Sequence, residues 1–226
     1  WAPYTAAIRA RLRQEQEIEP HLRVGGAPGH IGWRWDVILA RGVEGHMADL
    51  RERLARARDR KSKQLYRGAL ILWRGVLAWN ERHVQALRRR AEVAQGPEKE
   101  RLQGLVALCS RVPLRPACTF HEAVQSFYLQ YLAVMYENPY GGNGPGRLDY
   151  FLWPYLQRDL ERGVTTLEEA RELLDELFIR FEEWLHHADG WVESVVVGGI
   201  HPDGTTAVNP LSYLMIQSIA RLNQTH

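Results

Sequence analysis

A glycine-rich segment at residues 141–146 is the first candidate for chemistry, since backbone amides without side chains can cradle a phosphate at a helix start. The dinucleotide-binding fingerprint follows a strand, however, and here a long helical pattern precedes the glycines. The chain also has no Gly-Lys-Ser/Thr sequence. We therefore favour a loop that lets two backbones approach closely, with a substrate-pocket wall and a phosphate cradle as its alternatives.

Histidine and cysteine side chains offer metal-binding or nucleophilic chemistry elsewhere in the chain. His186 and His187 follow two glutamates, but adjacent histidines point to different helix faces, and no His-x-x-x-His pattern is present. Cys118 precedes a predicted helix start, where a thiolate is stabilised, yet no catalytic His with Asn or Asp accompanies it. We predict no metal site, exposed helix-end histidines, and a small buried residue at Cys118.

His30 ends a second glycine-rich stretch, at residues 25–30. Binding residues collect in loops that a rigid scaffold carries, so this histidine is a candidate for substrate contact. The alternative is an ordinary loop histidine, and nothing else in the local sequence separates the two interpretations.

Composition limits the classes of function. A chain of 226 residues with 45% hydrophobic and 25% charged residues is typical of one soluble globular domain. The net charge of +2 argues against nucleic-acid partners, and no apolar run reaches the roughly 20 residues that span a membrane. Two cysteines provide no disulfide framework, which suits a cytoplasmic location. Because the chain lacks an initiator Met and ends inside a helical pattern, we expect both ends to be cuts.

Apolar residues at helical spacing predict a mostly helical chain. Thr119 with Glu122, and Thr165 with Glu168, are predicted capping boxes, and Asn209 is predicted to cap the last helix. Gly68 and Gly75 interrupt a long helix, which suggests that something packs closely against them. The predicted helices cover residues 4–16, 33–60 with a pause at Gly42, 62–94, 97–109, 119–137, 147–161 and 165–187.

One segment, residues 194–200, is predicted to be a strand. Val195, Val196 and Val197 form an uninterrupted β-branched run, as in a strand buried on both faces. A turn at residues 201–204 follows it. A helical chain that ends in a buried strand and a helix is what part of an α/β barrel looks like.

Several motifs, separated along the chain but in order, carry a resemblance to a known family. Residues 111–113 read RVP and residues 116–127 read PACTFHEAVQSF. Residues 144–155 read GPGRLDYFLWPY. Further matches lie at residues 29–30, 42–43, 159–163, 168–174, 197–199, 203–204 and 209–214. With these motifs the chain resembles the glycyl radical enzymes, the pyruvate formate-lyase family.

This resemblance implies an α/β fold, a ten-stranded barrel around a buried active site. The present chain would be its amino-terminal portion, predominantly α-helical with few strands, and residues 1–226 would form a single partial domain. Members carry an organic glycyl radical, which a radical S-adenosylmethionine activating enzyme installs. The radical passes to a cysteine, whose thiyl abstracts hydrogen from the substrate. A closed barrel shields such a radical and holds the substrate at contact distance.

The resemblance also assigns roles to residues. His30 aligns with a histidine that can contact a substrate hydroxyl, and Arg23 and His21 are candidates for binding a polar or anionic group. Gly144 stands where the family commonly has a substrate-contacting Ser. Residues implied to hold the loop structure are Arg147, Asp149, Gly198 and Gly199.

The catalytic centre itself is expected elsewhere. By resemblance the thiyl Cys and the radical Gly lie beyond His226, so neither Cys109 nor Cys118 is predicted to be catalytic and no catalytic residue is assigned. Cys118 stands where the family usually has Arg, and Pro210 replaces the usual Glu.

The implied function is that of a glycyl radical lyase, formate C-acetyltransferase or dehydratase acting on a small polar metabolite, and the chain would be inactive alone. Its implied partners are the substrate, the activating enzyme and, in the full-length protein, a second copy in a homodimer. The alternatives are a non-catalytic helical structural or interaction protein derived from that fold and an unrelated helical binding protein. We also predict that Gly199→Val clashes with a neighbouring helix and unfolds the parent protein.

Overall fold

The computed structural model describes residues 33–137, 144–182 and 195–222, together with Ala10 and Gln14. His21, Arg23, His30, the histidine pair at residues 186–187 and most of the predicted helix 4–16 lie outside the described residues. The helices of the three long ranges are α1 (Trp35–Arg56), α2 (Arg60–Val93), α3 (Gly96–Arg111), α4 (Phe120–Glu137), α5 (Leu148–Glu161), α6 (Leu167–Glu182) and α7 (Pro210–Leu222). None of these helices is long and apolar enough to cross a membrane.

Short polar side chains begin several helices. Asp59 accepts from the Ser62 amide at 2.8 Å and caps α2. Asn209 accepts from the Leu211 amide at 2.9 Å, as predicted for the start of α7. The capping box of α6 lies one residue later than predicted. The Thr166 amide donates to the Glu169 carboxylate at 2.8 Å, and the Glu169 amide donates to the Thr166 hydroxyl at 3.2 Å.

The predicted capping box at α4 forms only in part. The Glu122 amide donates to the Thr119 hydroxyl at 3.1 Å, as expected. The Glu122 carboxylate, however, accepts from the Cys118 amide and from Arg111 Nε, both at 2.6 Å. Arg111 on α3 therefore holds this carboxylate at the amide of Cys118, one residue before the Thr119 amide that a capping box would use.

Helix α4 forms the centre of the hydrophobic core. Its predicted burial is confirmed, since Phe127 is inaccessible and Tyr131 nearly so. Trp35 of α1 meets Phe127 edge-on with 4.8 Å between ring centroids, and Phe181 of α6 packs against the same ring at 6.2 Å. The same cluster contains side chains of α1, α5 and α6, which pack on α4, and of α7, which packs on α5 and α6.

The predicted pause at Gly42 is a kink within α1. Gly42 has φ 63° and ψ 172°, outside the helical region. The kink brings α1 onto the connector that precedes α4, where the Val43 amide donates to Pro113 O at 2.9 Å. Glycine is required here because a Cβ would lie 2.4 Å from the Arg115 carbonyl carbon.

Two predictions for α2 are wrong. A Cβ added to Gly68 or to Gly75 would meet no atom within 4 Å. Both glycines lie on the exposed side of the helix, so no element of the described part of the chain packs against them. The two predictions failed because a glycine in a helix permits a close approach but does not show that another element is near enough to make one.

The predicted strand at residues 194–200 is also wrong within the described residues. Val195 makes a single parallel bridge to Gly146, and Ile200 a single antiparallel bridge to Thr206. Val196 is 53% exposed, so the segment is not buried on both faces. Gly198 and Gly199, with φ of 73° and 99°, turn the backbone away from the extended conformation. The described chain is helical, as predicted.

Candidate functional site

Asp149 joins three segments that are distant in sequence. Its side chain is fully buried at the start of α5. Its Oδ2 accepts from the Gly198 amide at 2.6 Å and from the Ser212 hydroxyl at 2.5 Å. The Asn209 side-chain amide donates to the Asp149 carbonyl at 3.3 Å. We call the meeting of residues 144–149, 198–199 and 209–212 the Asp149 junction.

Arg147 lies over this junction. Its Nε is 3.8 Å from Asp149 Oδ1, an ion-pair distance that is too long for a hydrogen bond. Its guanidinium also stands 5.1 Å from the centre of the Tyr150 ring. A Cβ on Gly199 would lie 3.0 Å from Arg147 Nη1, so the guanidinium lies against one side of this exposed glycine. The structure thus brings together Arg147, Asp149, Gly198 and Gly199, the residues that the sequence indicated for a structural loop.

The described end of the glycine-rich segment is a place of close backbone approach. Gly146, with φ 72°, accepts through its carbonyl from the Val196 amide and from the Leu148 amide, both at 3.0 Å. Trp35 Nε1 donates to the Pro145 carbonyl at 3.1 Å. Gly144 lies next to this anchor and is partly buried. A Cβ on Gly146 would meet no described atom within 4 Å, so the positive φ, and not crowding at its Cα, requires glycine there.

A cleft of about 730 Å³ adjoins the junction. Asn209, whose amide closes the junction, also lines the cleft. Tyr150 and His201 line it as well, with 5.7 Å between their ring centroids. Sequence reasoning missed these three as a group. Asn209 was interpreted only as a helix cap and His201 only as part of a turn, and no spacing pattern links positions 150, 201 and 209.

The two cysteines have opposite environments. Cys118 is exposed, which contradicts the prediction of a buried residue, because it lies in the connector before α4, beside a half-buried Arg111. Arg111 Nη2 donates to Cys118 Sγ at 2.7 Å. Cys109 is buried on α3, and burial raises the pKa of its thiol to about 11. Among the described residues no cluster of three or more His, Cys, Asp or Glu side chains could hold a metal ion.

This contrast predicts selective alkylation. Iodoacetamide at pH 8 should modify Cys118 in the native chain and leave Cys109 free, because a thiol with a raised pKa contains almost no thiolate at that pH. Peptide mass spectrometry measures both sites, and Cys109 should react only after urea is added. Equal labelling of the two thiols without urea would contradict the burial of Cys109.

The junction also refines the prediction for Gly199. We expect Gly199→Val to lower the free energy of unfolding by about 1–3 kcal/mol, because φ is positive and the new Cβ meets the Arg147 guanidinium. The contact is therefore with the Arg147 side chain, just before α5, and not with a neighbouring helix as first expected. Gly204→Val is the matched control, since its φ is 85° but a Cβ would meet open space. Urea denaturation should find Gly199→Val the more harmful, and the reverse order would refute the contact.

The model of the Pyruvate formate lyase-like family matches residues 3–226, nearly the whole chain. The chain belongs to this family. Isethionate sulfite-lyase of Bilophila wadsworthia is 30% identical over 203 residues, which is 81% of this chain and 24% of that enzyme. Trans-4-hydroxy-L-proline dehydratase of Clostridioides difficile is 30% identical over 149 residues, covering 60% and 20% of the two chains.

Solved structures of this family contain the same fold. Glycerol dehydratase of Clostridium butyricum superimposes with a TM-score of 0.81 at 21% identity, over 89% of this chain and 27% of that one. Hydroxyproline dehydratase of Clostridioides difficile superimposes with a TM-score of 0.76 at 25% identity, over 88% and 27%. The chain therefore spans about a quarter of the length of these family members. It is homologous to glycyl radical lyases, dehydratases and decarboxylases.

Proposed function

We propose that residues 1–226 form a single partial domain, the amino-terminal portion of the catalytic domain of a glycyl radical lyase or dehydratase. The proposed substrate is a small polar metabolite, since the relatives are named for isethionate and hydroxyproline. The Asp149 junction is the observation that carries the proposal. It fixes the loop at residues 144–149 against residues 198–199 through buried hydrogen bonds, and a loop that borders a reacting substrate needs such rigid support.

Four residues are proposed to contact the substrate. Gly144 would form part of the pocket wall, where its missing side chain leaves room and supplies no hydroxyl group. His30 would contact a substrate hydroxyl, and Arg23 and His21 would bind a polar or anionic group. Arg147 and Asp149 are proposed to position the loop and not to touch the substrate.

The organic radical belongs to another part of the proposed enzyme. In the full-length protein the glycyl radical would supply hydrogen abstraction from the substrate through a cysteine, and both residues are proposed to lie beyond the equivalent of His226. Cys109 does not fit this role because its side chain packs into an apolar cluster with Val84 and Leu129 and does not line the cleft beside the Asp149 junction. Cys118 does not fit it because it is exposed. This chain would contribute by binding and orienting the substrate and by excluding water from it.

The proposed partners are the radical-activating enzyme and a second copy of the full-length protein. Large apolar side chains are exposed within residues 195–222: Ile200, Tyr213 and Ile216 are 72%, 61% and 53% exposed. This exposure supports the proposal that another protein surface packs against this part of the fold. The same exposure favours the second candidate, a non-catalytic helical protein that binds a separate chain through this surface.

The deciding experiment begins with the complete open reading frame. Its product, purified without oxygen and treated with the activating enzyme, should develop a glycyl radical signal in electron paramagnetic resonance. It should then convert one of isethionate, trans-4-hydroxy-L-proline, glycerol or pyruvate with coenzyme A; conversion of the last pair would indicate a formate C-acetyltransferase instead. A stop codon after His226, with stable monomeric folding of the chain, would refute the catalytic proposal and favour the binding protein.

A further inference from the structure

The turn between α1 and α2 carries a concentrated positive charge. A buried cluster of Val43, Met47 and Leu70 holds the two helices together as a hairpin. At its tip, residues 51–67 contain eight Lys and Arg residues against two acidic ones, an excess of six positive charges. Because the whole chain has a net charge of only +2, the other residues are negative overall. We call residues 51–67 the basic hairpin tip.

Most cations of the tip have no counter-charge. Arg53 and Arg56 pair with Asp49 and Glu52, one helical turn earlier in α1. The Asp59 carboxylate is engaged as the cap of α2, where it accepts from a backbone amide at 2.8 Å. Six cations remain without an ion pair among the described residues, and five of the six are exposed. They are Arg51, Arg58, Arg60, Lys61, Lys63 and Arg67.

The first turn of α2 places cations where a helix disfavours them. The amino end of a helix has a partial positive charge, so acidic side chains stabilise it and basic ones destabilise it. Helices α1, α3, α4, α5 and α6 each have an acidic residue in their first turn. Among the described helices, only α2 has cations and no acid there, namely Arg60, Lys61 and Lys63. Local stability does not explain these residues, and such exceptions are expected at functional surfaces.

The size and composition of the tip favour one class of anionic partner. It covers only about 10 Å of each helix, and the net negative charge elsewhere on the chain opposes a long polyanion such as duplex DNA. Within residues 51–67, all of which are described, Leu65 is the one exposed large apolar side chain, which is too little to insert into a membrane. Tyr66, the one aromatic residue there, is half-buried and cannot stack freely on bases. A short acidic protein segment matches both the extent and the charge of the tip.

We propose that the basic hairpin tip docks a short acidic segment of a partner protein. The Asp or Glu carboxylates of the partner pair with the six unpaired cations. Four of these cations are arginines, and a guanidinium binds a carboxylate through two parallel hydrogen bonds. The positive end of the α2 dipole adds to the same attraction. Such docking requires neither radical chemistry nor a particular substrate, so it is tested separately from the function proposed above.

Calorimetric titration of the complete open-reading-frame product with a twelve-residue poly-glutamate peptide tests the proposal. The peptide should bind saturably, and its dissociation constant should rise at least about tenfold between 50 and 300 mM sodium chloride, because salt screens exposed charges. Poly-glutamine of the same length should not bind. A twelve-nucleotide thymidine strand and phosphatidylserine vesicles should bind more weakly than poly-glutamate. No saturable binding of poly-glutamate, or tighter binding of the strand or the vesicles, would overturn the proposal.

Two matched double variants localise the binding. Arg58→Gln combined with Lys61→Gln should weaken poly-glutamate binding at least about fivefold. Arg82→Gln combined with Arg89→Gln removes the same charge from exposed positions roughly 30 Å along α2 and should change the affinity less than about twofold. Equal weakening by the two variants would show attraction to the total charge alone and would overturn the assignment to the tip.

Thermal unfolding separates a binding role from a structural one. Lys61→Gln should leave the melting temperature of the protein unchanged or slightly raised, because the variant removes a cation from the first turn of α2. Circular dichroism measures the transition. A clear decrease in melting temperature would show that Lys61 supports the fold, and it would contradict a role in docking.

Discussion

Replacing Asp149 with alanine should lower the free energy of unfolding by about 3–5 kcal/mol, the cost of removing one partner from a buried polar network. The variant leaves the Gly198 amide and the Ser212 hydroxyl without their shared acceptor, and both donors are buried. It also leaves Arg147 without its nearby carboxyl group. Urea denaturation followed by circular dichroism measures the loss.

Two controls separate the buried junction from a general effect of losing an acidic side chain. Asp149→Asn keeps the volume and one oxygen acceptor, so its effect should be clearly smaller than that of alanine. Asp49→Ala removes an exposed carboxylate that pairs with Arg53 on α1, and surface pairs contribute little. Equal losses for Asp149→Ala and Asp49→Ala would show that the junction does not stabilise the fold.

Replacing Gly42 with alanine should be nearly as harmful, with an expected loss of at least about 3 kcal/mol. The new Cβ would lie 2.4 Å from the Arg115 carbonyl carbon and 2.6 Å from the Leu114 carbonyl oxygen. Both atoms belong to backbone, which cannot rotate away as a side chain can. The positive φ of 63° adds strain for any residue with a Cβ.

Gly75→Ala is the matched control for this variant, and its expected effect has the opposite sign. Gly75 lies in the regular part of α2, where a Cβ meets nothing within 4 Å. Alanine there should raise the free energy of unfolding by about 0.5–1 kcal/mol, because it restricts the unfolded chain. Thermal unfolding of both variants gives the comparison, and a loss of stability in both would contradict the different roles of the two glycines.

The junction gives the motif at residues 144–155 a structural role. Arg147 and Asp149 both contact the loop at residues 198–199. Arg147 lies against Gly199, and Asp149 accepts a hydrogen bond from the Gly198 amide. Glycine is needed at both contacted positions, because each has a positive φ. The arrangement ties the start of α5 to the start of α7, since Ser212 shares the same acceptor oxygen.

The helices, the Asn209 cap and the family could be predicted from the sequence because the interactions that define them are local. A capping side chain reaches an amide two or three residues away, so Asn209 and the pause at Gly42 were identified from neighbouring residues alone. The motifs shared with the glycyl radical enzymes likewise lie in order along the chain. The predicted helical character therefore needed no knowledge of which elements meet.

Tertiary structure alone decided what the glycines, Cys118 and the valines do. Asp149 finds its partners 49 and 63 residues away, and no local pattern encodes such distances. A glycine signals a missing side chain but not what approaches it, so Gly42 touches backbone while Gly68 and Gly75 face open space. Likewise, a run of valines forms a strand only where another backbone lies alongside, and within the described residues the Val195 backbone forms one bridge, to Gly146.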